Sequence, residues 1–242
     1  GSAIPVGFTG RDETGSRLID ALRRSVDVRA IVRPREFRTP TKRRIRAGGV
    51  HSAKQQVVRI DRETSWPVSE GVSRTFASKL TKSLAECDAV LLSDYGSGLV
   101  TPALAAAIRE RLAKRTRRRP VPVLVATRFR LLEYRDLTTC TPNESEVEQV
   151  LGSRIDDDPD VLERAGRLLL RRTRMQALLV TRGSRGMALF QPRQATIHIP
   201  IYGSDEVADV TGAGDTVKAT FGLALAAGAS FYEAARLANY AG

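Results

Sequence analysis

Asp209-Val210-Thr211-Gly212-Ala213-Gly214-Asp215-Thr216 sets two glycines and two carboxylates ahead of a long apolar run. Glycine lets a backbone turn tightly and bring its amides against a ligand. The run from about Ala213 to Ala227 reads as a helix. A helix start offers unpaired N–H groups and the positive end of its dipole. Together these predict an anion site, phosphate above all. Asp215, a carboxylate beside such a site, is odd for a plain binding site and sensible for a catalytic base. The plainer alternative is an acidic residue that only complements the dipole.

Two further patterns carry chemistry. Thr141-Pro142-Asn143-Glu144-Ser145-Glu146 follows an apolar strand and opens a helix. Asn143 and Glu146 share the first turn, where an amide oxygen and a carboxylate suit Mg²⁺ held through water. The same spacing equally fits an N-cap with its capping-box partner. Leu179-Val180-Thr181-Arg182-Gly183-Ser184-Arg185-Gly186 is a strand that leaves through a glycine turn into another strand, as a plain hairpin would. Two nucleotide signatures are absent: no G-x-x-x-x-G-K-[ST], and no third glycine of a dinucleotide fingerprint after Gly214. Cys87, Cys140, His51 and His198 are scattered, which excludes a familiar zinc spacing and fits ordinary thiols in a reducing compartment.

The elements that must position these residues alternate. Ile4 to Phe8 and Val28 to Val32 read as strands, with a helix between them that Thr14 caps and that runs to about Arg24. Over residues 39–62 the pattern changes to period two, with Thr41, Arg43 and Ile45 alternating with Lys42, Arg44 and Arg46. Gln56, Val58 and Ile60 alternate in the same way, and Gly48-Gly49 marks the turn between two half-exposed strands. From Asp88 strands and helices alternate. Strands are expected at Ala89–Leu92, Val121–Val125, Thr138–Thr141, Ala177–Thr181 and Met187–Phe190. Helices are expected after Thr101-Pro102, over the stripe Val161, Leu162, Ala165, Leu168 and Leu169, over Ala213–Ala227, and from Ser230. That order implies a parallel sheet covered on both faces, with ligands at the carboxyl ends of its strands.

The chain has 242 residues, 42% of them hydrophobic, long enough for a sizeable core. No apolar run approaches a membrane span and no signal peptide is visible, so a cytoplasmic protein is expected. The formal charge is +12, and of 39 basic residues six are lysine. Arginine clusters at 42–46, 114–119 and 171–174 lack interleaved aromatics for base stacking. Two of them fall at predicted helix ends, where cations complement the dipole. Nucleic acid is therefore not expected as a partner.

Ser93-Asp94-Tyr95-Gly96-Ser97-Gly98, Asn143/Glu146, Thr181/Gly183 and the Gly212–Asp215 turn, in this order, resemble the signatures of the ribokinase-like PfkB carbohydrate kinases. The likeness covers essentially the whole chain. It implies a ribokinase-like three-layer α/β/α sandwich with a small β-flap, a single domain over 1–242 with 39–62 as lid. It implies transfer of the γ-phosphoryl of ATP to a hydroxyl of a sugar or sugar phosphate. Asp215 would be the base, and the amides of Gly212, Ala213 and Gly214 would hold the transferred group. Thr181, Gly183, Thr211 and Asn239 would line ATP, and Asn143 with Glu146 would place Mg²⁺ through water. Asp209 corresponds to a position linked to a monovalent cation such as K⁺; a turn-capping role suits it equally. Asp94 and Lys42 would face the sugar, and the flap would offer a homodimer contact.

Within the family the chain is similar above all to the kinase domain of the bifunctional heptose kinase/adenylyltransferase enzymes. The likeness rests on Thr41-Lys42, Gln55–Asp61, Asp94-Tyr95-Gly96, Thr141-Pro142-Asn143 and Asp209–Thr216. It implies D-glycero-β-D-manno-heptose 7-phosphate, phosphorylated at its anomeric hydroxyl, as acceptor. Against that pattern the chain is expected to be truncated at both ends. It starts after a sugar-contacting Gly-Gly-Ala-Ala-x-Asn segment and stops before elements beside the adenine. Ala126 stands where relatives carry Asp, and Ser97 where they carry Lys. These departures keep a rival open: a catalytically impaired kinase fold that binds nucleic acid or another acidic partner.

Overall fold

The computed structural model describes residues 1–47, 55–64, 68–116, 119–156, 158–202 and 212–242. They cluster into two compact units, Gly1–Glu86 and Cys87–Gly242.

In the first unit β1 (Gly7–Phe8) pairs in parallel with β2 (Ile31–Val32). Between them lies α1 (Glu13–Leu22). Its cap is Asp12 rather than Thr14: the Asp12 carboxylate accepts the Gly15 N–H at 2.8 Å and the Thr39 N–H at 2.9 Å. The Thr39 hydroxyl adds a bond of 2.6 Å, and these donors hold the Asp12 carboxyl below its ordinary value. Both strands are shorter than their apolar runs, because Val28–Ala30 forms a 3₁₀ turn ahead of β2. Then come β3 (Thr41–Ala47) and β4 (Gln55–Arg62), an antiparallel pair that meets the alternation expected over 39–62. The Gly48-Gly49 turn lies outside the described residues. Arg43 faces Ile60 and Ile45 faces Val58 in register, so Ile45, Val58 and Ile60 form an exposed apolar stripe. Helix α2 (Glu70–Glu86) closes the unit and packs on β2. Its sequence mixes polar residues around the helix and buries only Ser83 and Leu84, so it lacks the stripe that announces a helix.

In the second unit six strands form one sheet in the order β10-β9-β8-β7-β6-β5. They are β5 (Val90–Asp94), β6 (Val123–Thr127), β7 (Thr139–Cys140), β8 (Ala177–Thr181), β9 (Met187–Phe190) and β10 (Ile197–Ile199). β5 to β8 run parallel; β9 and β10 are antiparallel to their neighbours. The sheet is thus mixed, because the three-residue 3₁₀ turn Gly183–Arg185 is too short for a crossover. β6 starts at Val123, not Val121, since Pro122 has no N–H for a ladder.

The intervening helices are α3 (Pro102–Ala113), α4 (Glu144–Leu151), α5 (Pro159–Thr173), α6 (Ala213–Ala227) and α7 (Phe231–Ala241). Alternate strand residues Leu124, Ala177, Leu179, Met187, Leu189 and Ile199 pack against Val217, Phe221 and Ala224 of α6 and Ala234, Ala235 and Ala238 of α7. On the other face α5 lies against β8 and β9. A Cβ on Gly166 would sit 2.4 Å from the Phe190 ring, so this glycine sets how near α5 approaches. The unit is therefore a three-layer α/β/α sandwich. Cys140 lies in β7, paired on both sides, and burial with the Glu146 charge pushes its thiol well above the usual range.

Candidate active site

The parallel strands β5 to β8 end at Asp94, Thr127, Cys140 and Thr181, and the carboxyl edge of such a sheet is where α/β folds bind ligands. Asn143, Thr181 and Gly183 gather there. The Thr181 N–H donates to the Pro142 carbonyl at 3.0 Å, and Asn143 forms a parallel bridge with Thr181. The Mg²⁺ candidates and the glycine turn are thus direct neighbours. Gly183 takes φ 58°, a left-handed conformation that favours glycine.

Asn143 and Glu146 form both halves of a capping box. The Asn143 Oδ1 accepts the Glu146 N–H at 2.8 Å, and the Glu146 Oε2 accepts the Asn143 N–H at 2.9 Å. The structural alternative is therefore realised, and Glu146 Oε1 stays outside the box. Among the described residues no group of three or more His, Cys, Asp or Glu side chains is arranged to hold a metal ion.

Helix α6 runs back against the strands. Gly222 lies against Leu91 and Leu124, near the starts of β5 and β6. Arg119, four residues ahead of β6, donates to the Ala227 carbonyl near the helix end at 3.2 Å. The first turn, Gly212–Asp215, is thereby turned toward the carboxyl edge. Gly212 has φ 95°, and among the described residues no side chain caps the helix, whose first amides are the ones that can meet a ligand. Gly214 needs neither positive φ nor space: among the described residues a Cβ there would meet nothing within 4 Å. Asp215 is 70% exposed, with Lys218 Nζ at 3.4 Å. Thr211 and Asp209 lie outside the described residues.

Asp94 is 3% exposed. Its carboxylate accepts the Gly96 N–H at 3.0 Å, the Thr127 hydroxyl at 3.1 Å, the Tyr134 hydroxyl at 2.8 Å and the Arg130 guanidinium at 2.9 Å. Burial pushes its pKa up, but these donors outweigh it and hold the carboxyl below its ordinary value. Burial first, then the bond to Asp94, pushes the Tyr134 phenol up. The oxygens of Asp94 thus face the protein's own donors and shape the Ser93–Gly98 turn. Sequence reasoning missed Thr127, Arg130 and Tyr134, which stand 33 to 40 positions away with no local signal. Lys42 is an exposed residue of β3 in the first unit.

Asn239 lies on α7, and its Nδ2 donates to the Pro200 carbonyl at 2.8 Å. It borders a cavity of about 370 Å³ with Tyr202, Tyr232, Arg236 and Tyr240 among its lining residues. Tyr202 and Tyr240 meet edge to face at 4.5 Å, and the Arg236 guanidinium lies over the Tyr232 and Tyr240 rings at 5.9 and 5.8 Å. Among the described residues no helix is long and apolar enough to cross a membrane.

A family model described as pfkB family carbohydrate kinase matches residues 2–242. The chain is 39% identical over 234 residues to the bifunctional protein HldE of Geobacter metallireducens, covering 96% of this chain and 46% of that protein. It is 37% identical over 242 residues to the protein of the same name from Pasteurella multocida, covering 98% and 48%. The chain thus spans about half the length of the curated relatives it matches. Among solved structures, Arabidopsis thaliana ribokinase complexed with ribose and ATP superposes with a TM-score of 0.74 at 21% identity, over 98% of this chain and 73% of that one. Escherichia coli phosphofructokinase-2 in complex with fructose-6-phosphate gives 0.72 at 18% identity, over 99% and 75%. At those identities the likeness establishes the ribokinase-like fold alone.

Proposed function

We propose, on the premise that the chain belongs to the pfkB family of carbohydrate kinases, that it transfers the γ-phosphoryl group of ATP to a sugar hydroxyl. The acceptor best supported is D-glycero-β-D-manno-heptose 7-phosphate at its anomeric hydroxyl, from the relatedness to HldE. The observation that carries the reading is the Gly212–Asp215 turn. The helix start faces the strand ends, and among the described residues no side chain caps it and nothing lies within 4 Å of where a Gly214 Cβ would stand. Open space at that glycine suits close approach of a phosphoryl group.

In the proposed reaction Asp215 accepts the proton of the acceptor hydroxyl as its oxygen bonds to the γ-phosphorus. The bond from that phosphorus to the bridging oxygen breaks, and ADP leaves. The amides of Gly212, Ala213 and Gly214 hold the charge on the transferred group. Lys218 Nζ lies 3.4 Å from the Asp215 carboxylate. Asn143 and Glu146 would hold Mg²⁺ through water; when bound, that ion neutralises charge on the nucleotide phosphates. Thr181, Gly183 and Thr211 line the nucleotide in this reading, and the aromatic cavity beside Asn239 receives the adenine. Asp209 serves a monovalent cation, Asp94 orders the turn on the sugar side, and Lys42 is the second residue assigned to the acceptor.

The first test is calorimetric titration of the chain with ATP, with and without MgCl₂. Saturable binding that requires Mg²⁺ is expected. Absence of binding in both would overturn the reading and favour a kinase fold used as a binding module. Asp215→Asn is expected to lower turnover by ~10³-fold while leaving ATP affinity unchanged. Turnover within tenfold of the parent would remove Asp215 from the role. We read the flap as lid and homodimer contact within one kinase domain. The exposed Ile45, Val58 and Ile60 stripe is the surface a second copy would cover. Ile45→Lys should shift the sedimenting species from dimer to monomer; a parent that sediments as a monomer sinks this part.

A further inference from the structure

Glu144 opens α4, one residue after Asn143, and its side chain is only 11% exposed. One carboxylate oxygen takes the Arg182 Nε at 3.2 Å, and the other takes the Arg185 guanidinium. Arg185 also donates to the Asp156 carbonyl at 2.8 Å. The two arginines flank Gly183, and the Arg182 N–H closes the turn onto the Gly186 carbonyl at 2.8 Å. A buried carboxylate at a helix start is favoured by the dipole, and two guanidinium groups offset its desolvation. The result is an ionic clamp parallel to the backbone links between Pro142-Asn143 and Thr181.

We infer that Glu144 is a positioning residue for the nucleotide. It fixes the Thr181–Gly186 turn to the helix end that carries Asn143 and Glu146. It also keeps two cations beside that turn paired with the protein. The inference rests on reading this edge as a MgATP site. Without the carboxylate, Arg182 and Arg185 become two adjacent like charges on one short turn. The turn then shifts relative to the helix end, and the nucleotide meets two half-sites out of register.

The test compares the parent with Glu144→Gln, which keeps volume and loses charge. MgATP affinity is read by calorimetry, and the unfolding temperature is read with and without MgATP. The variant is expected to bind MgATP about tenfold more weakly, with a smaller MgATP-induced rise in that temperature. A purely structural Glu144 would lower the nucleotide-free unfolding temperature and leave the affinity unchanged; that result overturns the inference. Should Glu144→Gln not fold, Arg185→Gln decides, since its side chain is 41% exposed. It is expected to weaken MgATP by about threefold, and an unchanged affinity overturns the proposal. A parent that binds no MgATP refutes the site reading itself and the inference with it. A parent that binds beside an equally tight Glu144→Gln refutes the inference alone.

Discussion

Asp94 shows how one residue can be conspicuous in sequence and still be misjudged in its surroundings. Its place in Ser93–Gly98 is legible, but the donors that surround it are not, because Thr127, Arg130 and Tyr134 reach it only after the chain has folded. Asp94→Asn leaves the Arg130 guanidinium without a charged partner, at a cost on the order of 2–4 kcal/mol at neutral pH. The pH dependence follows from the direction of the shift. The folded carboxyl sits below its ordinary value, so its contribution is present above about pH 4 and is lost as pH falls through the folded pKa. Urea midpoints of parent and variant should therefore differ clearly at pH 7 and draw together as pH falls through the folded pKa, below the ordinary carboxylate range. A gap that stays constant would sink this assignment. Asn143 and Glu146 illustrate the opposite case. Their spacing announces the capping box in full, and the box is what forms. What the spacing does not reveal is Glu144 between them, whose two cationic partners lie 38 and 41 positions along the chain.

Among the elements, those with one clean face were the most legible. The stripe Val161, Leu162, Ala165, Leu168 and Leu169 predicted α5, and β8, β9 and α6 fall at the residues expected. α2 and β10 escaped, the first for want of a stripe and the second because three residues carry too little pattern. Invisible too was the contact that sets the spacing of a layer. Gly166 reads as one more small residue, yet a Cβ there would overlap Phe190. Gly166→Ala should destabilise the second unit by about 1–3 kcal/mol through overpacking. Adding Phe190→Leu should recover part of that loss, because the leucine withdraws the ring atoms that clash. Unfolding of both variants by urea checks the pair; a double variant no better than the single would place the strain elsewhere.

For the whole molecule, the order of motifs was more informative than any one of them. Asp94, Thr127 and Thr181 end β5, β6 and β8, and Asn143 follows β7 at the start of α4, so a linear order becomes a line of side chains along one sheet edge. The division into two compact units is not written in composition, since no linker or low-complexity stretch marks Glu86–Cys87. The arginine excess is equally uninformative by itself. In the structure many of these side chains tie the chain to itself: Arg167 to Glu163, Gln191 and Gln194, Arg174 to Asp136, and Arg119 to Ala227.

Neither Cys87 nor Cys140 is in a disulfide, and they differ sharply in depth. Cys140, in the middle of the sheet, cannot meet a thiol reagent unless the second unit opens. The molecule therefore carries its own clock. With an aromatic disulfide reagent in native buffer, Cys87 should label first and Cys140 at the rate of opening. Urea should accelerate the slow phase far more than the fast one, and two phases with equal urea dependence would mean that Cys140 is reached by a local breath of β7 alone.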